Sequence, residues 1–255
     1  MITAGIDAGQ ETIKVVIMAD GRVLGQALEA AGGEPTETVA QRVLDKVLRE
    51  AGLTPSDLAY IVATGTGRKQ VPAAHQQVPD VPCLARAATF LVPSARTVID
   101  MGAEKCLTLR CNAQGKPVNF SLNDKCASGA GIFFETVAKM LRVPIAEIGP
   151  LSLQAQEDVK IRSTCAVFAE SEVISLVHKK TKPAEILRGI HEGVALRIYA
   201  MLNKTGLEQD IIMTGGVARN VGFVQAMQQQ LGLAVLVPEQ AEMAGALGAA
   251  LLAKD

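Results

Sequence analysis

The chain has 255 residues, of which 49% are hydrophobic and 20% charged, with a formal net charge of −1; this is a globular composition with enough apolar side chains for one large domain or, more naturally, two. Near-neutral charge gives no electrostatic reason to expect nucleic acid or an acidic membrane as partner, and with no Trp, two Tyr and six Phe a stacking platform for bases is missing. No run approaches the ~18 apolar residues of a membrane span, Met1–Ala4 leads into a strand rather than a signal peptide, and five widely spaced cysteines are no disulfide framework, so the expected compartment is the cytoplasm.

Ile2 to Ile6 is apolar and ends in Asp7-Ala8-Gly9-Gln10-Glu11-Thr12; Ile13 to Met18 is apolar around Lys14, and Asp20-Gly21 precedes Arg22-Val23-Leu24-Gly25. The spacing predicts strand, tight turn, strand, turn, strand. Gly9 lets the backbone approach a ligand, and Asp7 at a strand end suits Mg2+ or a metal-bound water, although an ordinary hairpin with an Asp in its turn would read the same. Glu37 to Ala51 carries Val39, Val43, Val47 and Leu48 on one helical face and stops at Gly52. Leu58 to Ala63 reads as a buried strand running into Thr64-Gly65-Thr66-Gly67-Arg68, at the sheet edge where α/β folds bind ligands. Pro72 to Pro82 reads as loop, Leu84 to Leu91 as helix.

The opening phrase then recurs. Val98-Ile99-Asp100-Met101-Gly102-Ala103-Glu104-Lys105 precedes an apolar run from Cys106 to Cys111, the turn Asn112–Gly115 and Pro117–Phe120. Asp7 aligns with Asp100 and Gly9 with Gly102 at one offset, so an internal duplication is the simplest account. Two Asp-x-Gly hairpins facing one another across a cleft would grip a polyphosphate, their carboxylates holding Mg2+ and orienting water. The expected domains are residues 1–93 and 94–255, the terminal helix packing back on the first.

Asn123-Asp124-Lys125-Cys126-Ala127-Ser128-Gly129-Ala130-Gly131 runs into a stretch with Phe133, Val137, Met140 and Leu141 at helical spacing, and Ser163-Thr164-Cys165 runs into another from Ala166 to Leu176. Both cysteines are thereby placed at helix mouths, where unpaired N–H groups and the helix dipole favour a thiolate or an anionic cluster. Two thiols do not complete a four-thiolate site, but two per subunit of a symmetric dimer do; alternatively both are small core residues. Cys106 and Cys111 point to opposite strand faces, and Cys83, His75, His178 and His191 read as structural. Pro144 to Gly149 reads as loop, Val159 to Arg162 as a short strand and Pro183 to Leu202 as a long helix. Asp210 to Thr214 reads as a strand breaking at Gly215-Gly216, a turn that brings backbone against a planar ring or a phosphate. Leu233 to Val237 reads as the last strand and Ala241 to Ala253 as a closely packed terminal helix.

Asp7-x-Gly9 with Lys14, Ala63-Thr64-Gly65-x-Gly67-Arg68, Asp100-x-Gly102, Asn123-Asp124-Lys125-Cys126-Ala127-x-Gly129, Ser163-Thr164-Cys165-x-Val167-Phe168-Ala169-Glu170-Ser171-Glu172 and Thr214-Gly215-Gly216-Val217-Ala218 together resemble the BadF/BadG/BcrA/BcrD ATPases. That family includes the activators (component A) of 2-hydroxyacyl-CoA dehydratases and the ATP-binding subunits of benzoyl-CoA reductase. The resemblance implies an α/β, actin-like ATPase fold (sugar kinase/Hsp70/actin) of two RNase-H-like domains. It implies ATP or ADP with Mg2+, and a homodimer or similar heterodimer sharing one 4Fe-4S cluster through Cys126 and Cys165 of each subunit. Asp7, Asp100 and Glu104 would be catalytic. Gly9, Gln10, Thr12 and Lys14 would form the first phosphate loop, Gly102 and Ala103 the second, and Gly215, Gly216, Val217 and Asn220 the adenosine loop.

The implied output is a low-potential electron, taken from a ferredoxin or flavodoxin and delivered to a reductase or dehydratase acting on a CoA thioester. A one-electron shift of ~300 mV corresponds to about 7 kcal/mol, which hydrolysis of one or two ATP would supply. Met101-Gly102-Ala103-Glu104-Lys105 departs from the activators' Gly-Gly-Gln-Asp, and Gln10-Glu11 replaces small hydroxyl residues; both lean toward the D-type reductase subunits, while the chain's length leans toward the activators. A sugar or acetate kinase of the same fold would explain the phosphate loops and leave the two cysteine motifs unexplained.

Overall fold

The computed structural model describes residues 1–126, 130–161 and 165–253. The chain divides into two compact units, one made of Met1–Arg96, Cys111–Val118 and the residues from Glu242 onward, the other of Thr97–Arg110 and Asn119–Ala241. Each centres on a five-stranded mixed sheet, as the α/β reading expects. Among the described residues no helix is long and apolar enough to cross a membrane.

In the first unit β1 (Ile2–Ala8), β2 (Thr12–Ala19) and β3 (Arg22–Ala30) form two consecutive antiparallel hairpins, and β4 (Tyr60–Thr64) and β5 (Gln76–Gln77) continue in parallel, giving the order β3-β2-β1-β4-β5. Ala4, Ile6 and Ala8 of β1 and Ile13, Val15 and Ile17 of β2 pack with Val39, Val43, Val47 and Leu48 of α1 (Thr36–Glu50), the strand period of two meeting the helical stripe. The alternate residues of β1 face α8 (Ala244–Leu252): the Thr3 hydroxyl donates to the Ala250 carbonyl (3.0 Å), and a Cβ on Gly5 would collide with the Ala246 carbonyl. On its other side a Cβ on Gly248 would collide with the carbonyl of Cys83, in α2 (Asp80–Leu91). The small residues of α8 let backbone rest on backbone.

The second unit repeats the hairpin with β6 (Thr97–Met101), β7 (Cys106–Cys111) and β8 (Pro117–Asn123), then adds β9 (Ile211–Thr214) and β10 (Val235–Leu236) in parallel, in the order β10-β9-β6-β7-β8. Its core joins Ile99 and Met101 of β6 to Phe133, Phe134 and Val137 of α3 (Gly131–Leu141), Ile186, Ile190, Val194 and Ile198 of α6 (Pro183–Thr205), and Phe223 and Met227 of α7 (Val221–Leu231).

Four elements differ from the sequence reading, the shortest being β5, a strand at Gln76–Gln77 inside the stretch read as loop. α2 begins at Asp80 and takes Pro82 into its first turn, where proline removes no helical hydrogen bond. Residues Ile145–Glu147 form a 3-10 turn that feeds a short helix, α4 (Ile148–Ser152), instead of a loop. Val159–Ile161 is not a strand; its backbone lies along α6, where a Cβ on Gly189 would collide with the Val159 carbonyl and one on Gly193 would sit 3.6 Å from that of Ile161. β-branched residues there pack on a helix, not beside a strand. Arg162, Ser163, Thr164, Ala127, Ser128 and Gly129 lie outside the described residues.

Candidate functional site

Asp7 stands near the end of β1, paired in register with Lys14 of β2 on one side and Thr64 of β4 on the other. Its carboxylate meets the Lys14 ammonium at 3.3 Å, both side chains being mostly buried. The Gly9 N–H donates to the Thr12 carbonyl (3.1 Å), and a Cβ there would sit 2.7 Å from that oxygen, so the hairpin itself demands glycine. Gln10 and Glu11 form its exposed tip. Two more glycines wall the carboxylate: a Cβ on Gly65 (φ +86°) would lie 2.6 Å from Asp7 Oδ1, and one on Gly245 of α8 2.9 Å from Oδ2. The Gly67 N–H donates to the Ala8 carbonyl (2.9 Å) and Arg68 Nη1 to that of Gly65 (2.8 Å).

Asp100 occupies the same place in the second unit, in register with Leu107 and Thr214, and accepts the Thr214 hydroxyl at 2.7 Å. The loop after it is closed by the Gly102 N–H on the Lys105 carbonyl (2.9 Å); here a Cβ on the glycine would sit an ordinary 3.7 Å from that oxygen. Glu104 is exposed at the tip. Gly215 (φ +83°) packs against the Met101 carbonyl too closely for a side chain, whereas a Cβ on Gly216 would meet nothing within 4 Å. The fold requires the first glycine of the pair, and leaves the second as bare, exposed backbone.

Asn220, expected in the adenosine loop, turns its side chain inward. Its Oδ1 caps α7 by accepting the Phe223 N–H (3.1 Å), and its Nδ2 lies 3.0 Å from His191 Nε2. His191 Nδ1 is 3.0 Å from the Ser152 hydroxyl, which donates to the Gly149 carbonyl at 2.7 Å. With the amide donating to Nε2, the proton belongs on Nδ1. Burial pulls the His191 pKa down to about 3, so the ring is a neutral tie between α4, α6 and α7 and packs edge-on to Phe134 of α3 (5.2 Å). The structural role expected of His191 fits this position, although no sequence signal points to these partners. The structural reading of His75 also fits its position: Nδ1 accepts the Ile61 N–H (3.0 Å) and the ring stacks on Tyr60.

Cys83, Cys106 and Cys111 are buried, and Cys126 and Cys165 are exposed. Burial pushes the Cys83 thiol up to about 12 and the Cys106 thiol higher still, so both remain protonated core residues. Cys165 is the N-cap of α5 (Ala166–His178), its carbonyl accepting the Ala169 N–H (2.9 Å), and His178 ends that helix. Cys126 is not at a helix mouth. α3 starts at Gly131 after an Ala130 cap, and its first donors are already used: Gly131 N–H on the Gly102 carbonyl (2.9 Å) and Ile132 N–H on that of Ala103 (2.8 Å). A turn made by Asn123 presents Cys126 instead, with Oδ1 accepting the Cys126 N–H (3.2 Å) and Nδ2 donating to its carbonyl (3.0 Å). Burial pulls the Arg197 guanidinium of α6 below its ordinary pKa, an effect that the charges of Cys126 and Cys165 oppose. Among the described residues no three His, Cys, Asp or Glu side chains gather as a metal site.

α3 therefore rests on the second loop, and a Cβ on Gly131 would press on the Gly102 carbonyl and on Val217 Cγ2, each at 3.0 Å. Gly131 and Ile132, five and six residues after Cys126, are tied by backbone hydrogen bonds to the loop that follows Asp100.

A family model described as the BadF/BadG/BcrA/BcrD ATPase family matches residues 4–253. The 2-hydroxyisocaproyl-CoA dehydratase activator of Clostridioides difficile is 39% identical over 100% of this chain and 96% of its own; the D-type benzoyl-CoA reductase subunit of Thauera aromatica is 33% identical over 98% and 92%. The crystal structure of the Acidaminococcus fermentans (R)-2-hydroxyglutaryl-CoA dehydratase component A superimposes with a TM-score of 0.96 at 38% identity, covering 99% of this chain and 97% of that one. The Clostridium difficile activator with bound ADPNP gives 0.93 at 38%, covering 99% and 94%. A ROK family glucokinase from Streptomyces griseus, 15% identical with a TM-score of 0.63 over 100% and 99%, shares the actin-like, sugar-kinase fold alone. Matched over nearly its whole length, the chain belongs to the BadF/BadG/BcrA/BcrD ATPase family.

Proposed function

We propose that this ATPase is an electron-transfer activator that uses ATP to drive low-potential electrons into a CoA-thioester dehydratase or reductase. The observation that carries the reading is the link from nucleotide loop to thiol: the Gly102 and Ala103 carbonyls hold the first turn of α3, and Cys126 lies five residues before that turn. A change in the loop on nucleotide binding or loss is a change in what anchors α3. The higher identity to a dehydratase activator than to the D-type reductase chain supports the activator role over that of an integral reductase component.

Residue by residue, Lys14 and the backbone of Gly9, Gln10 and Thr12 hold phosphate oxygens, as do Gly102 and Ala103 in the second loop. Asp7 and Asp100 hold Mg2+ and its waters, and Glu104 polarises the attacking water. Gly215, Gly216 and Val217 take the adenosine, the bare backbone of Gly216 offering the close approach that a planar ring needs. Asn220 acts from behind, fixing the end of that loop through α7 and His191.

Cys126 and Cys165 fit a thiolate-ligated cluster, being the two exposed thiols of five. Since a 4Fe-4S cluster takes four thiolates, two subunits supply them, in a homodimer or with a similar chain. The exposed apolar face of α5 next to Cys165, with Val167 and Phe168 at 65% and 68% exposure and Ile174 and Val177 about half exposed, suits that contact. The cluster, when bound, stores and releases one electron. Ferredoxin or flavodoxin would be the donor, in the cytoplasm.

The test is iron and acid-labile sulfide per dimer with EPR after dithionite reduction, on anaerobic protein beside Cys126→Ser and Cys165→Ser. About four irons per dimer, lost in both variants, is the expected result. Iron-free protein after reconstitution that binds ATP as a monomer and phosphorylates a small molecule would replace the reading with a kinase.

A further inference from the structure

The two aspartates of the duplicated hairpins have the same neighbour on the parallel side and use it differently. Thr64 pairs in register with Asp7, and Thr214 with Asp100. The Thr214 hydroxyl donates to Asp100 Oδ1 at 2.7 Å, whereas the Thr64 hydroxyl is buried without a hydrogen-bond partner. Its effect falls on the Cys83 thiol, whose upward shift it opposes, and a protonated thiol is a weak acceptor that leaves the hydroxyl unspent. Residues paired across a ladder point to one face of the sheet. Ile6 and Ala63, one residue back on each strand, lie in the core with α1. Asp7 and Thr64 therefore turn to the opposite face, where Gly245 of α8 walls the carboxylate. Paired strands stand ~4.8 Å apart, which a Thr–Asp hydrogen bond spans, and Asp7 Oδ1 already lies against Gly65, the residue after Thr64. A buried hydroxyl without a partner destabilises the arrangement that holds it, and a turn of χ1 between staggered positions re-aims it.

We propose that Thr64 is a positioning residue for the nucleotide site: its hydroxyl takes over Asp7 when Lys14 leaves the carboxylate for a phosphate of ATP. The proposal deepens the assignment of Lys14 to the first phosphate loop and rests on it. The Lys14 ammonium is 3.3 Å from Asp7 Oδ2, and both side chains are mostly buried. It cannot serve a phosphate without loosening its hold on that carboxylate, and a carboxylate left with so little water needs another donor. The second unit shows the resulting geometry, since Asp100 faces Leu107 instead of a lysine across the antiparallel pair and accepts the hydroxyl of its threonine. One hydroxyl makes good part of the loss of a full charge, not all of it. The exchange keeps Asp7 aimed while nucleotide is bound, and it gives the Thr64 hydroxyl a task in that state alone.

The experiment uses the full chain, purified anaerobically, as wild type, Thr64→Val, Thr64→Ser and Lys14→Met. Urea unfolding without nucleotide is measured first, then the dissociation constant of a non-hydrolysable ATP analogue with Mg2+ by calorimetry. Valine keeps the shape and removes an idle hydroxyl, so Thr64→Val is expected to unfold at the wild-type midpoint or above it. Its affinity for the analogue is expected to fall about tenfold, the loss of one hydrogen bond to a charged group, while Thr64→Ser binds within about twofold of wild type. A threonine with a merely structural role gives the reverse, lower stability without nucleotide and unchanged affinity, and either result overturns the proposal. A valine variant that does not fold overturns it too, since the hydroxyl would then be in use already, as does a serine variant that binds as weakly as the valine one. Weak binding in Lys14→Met beside unchanged binding in Thr64→Val overturns the proposal and leaves the assignment of Lys14 intact. Wild-type affinity in Lys14→Met, or a wild-type chain that binds no nucleotide, overturns both.

Discussion

The Asp7 and Asp100 hairpins share one backbone plan and differ in what it carries. Each aspartate sits near a strand end, opposite a residue of the antiparallel partner and beside a threonine of the parallel one. Each threonine precedes a positive-φ glycine jammed against the peptide after the aspartate, Gly65 on Ala8 and Gly215 on Met101. The opposite residue is Lys14 in the first hairpin and the buried Leu107 in the second. Asp7 is thus held by a cation, and Asp100 by the Thr214 hydroxyl. Duplicated backbone geometry outlasts duplicated charge, because the tight turns leave few alternatives while side chains change one at a time. The second hairpin has a further task, its loop carbonyls anchoring α3.

The largest expected effect probes what is shared. Gly65→Ala and Gly215→Ala each force a Cβ into a carbonyl at positive φ, and each should cost about 3 kcal/mol or more or abolish soluble folding, measured by urea unfolding. If one tolerates alanine with no loss, the equivalence of the two turns fails.

Next comes what is different. Lys14→Ala leaves Asp7 half-buried and unpaired and should cost about 2–3 kcal/mol, whereas Thr214→Val removes one hydroxyl from Asp100 and should cost about 1 kcal/mol. Paired urea titrations decide it, and equal losses would mean that Lys14 does not hold Asp7.

The second unit also carries a pH device. His191 is held neutral in the folded chain, with a pKa lowered from 6.5 to about 3; the unfolded chain takes up a proton below about 6.5 and the folded chain does not until about 3. Stability is therefore whole above about 6.5 and falls as pH drops toward 3, by about 2 kcal/mol at pH 5. In His191→Gln, starting from a lower plateau, that slope should flatten between pH 7 and 5.

The smallest effect on folding should be the most telling for binding. Gly102→Ala and Gly216→Ala meet no obstruction in the chain, so melting temperatures should stay within a degree or two, while ATP affinity falls about tenfold or more. Gly9→Ala is the control, since its Cβ would press on the Thr12 carbonyl and should destabilise the hairpin itself. Unchanged ATP affinity in Gly216→Ala would remove that backbone from the proposed adenosine loop.

The hairpins are legible in the sequence because period-two strands and glycine turns are local signals, and the repeat at one offset exposes their kinship. Cys165 as a helix cap is legible for the same reason. Cys126 stands five residues from the helix mouth expected for it, because a helical periodicity marks where a helix packs, not where its first N–H groups go, and here they go to carbonyls about thirty residues earlier in the chain. Asn123 does carry a local signal, an asparagine three residues before the cysteine. The inward turn of Asn220 has none, since its partner His191 lies 29 residues away on another helix. α4 is hidden by Pro144 and Gly149, which read as breakers although the first precedes the turn and the second lies inside the helix.

The seat of α8 on β1 has a consequence for how the protein is made. The Thr3 hydroxyl closes on the Ala250 carbonyl across 247 residues of chain, and Gly245, one wall of the Asp7 carboxylate, arrives with the same helix. As the chain leaves the ribosome, β1 waits with one face uncovered until α8 has been synthesised. The second unit, whose segments are complete by Ala241, has all its residues before the first does. Completion of the two units therefore runs against the direction of synthesis, and a nascent chain stopped short of α8 presents the Asp7 carboxylate without its Gly245 wall.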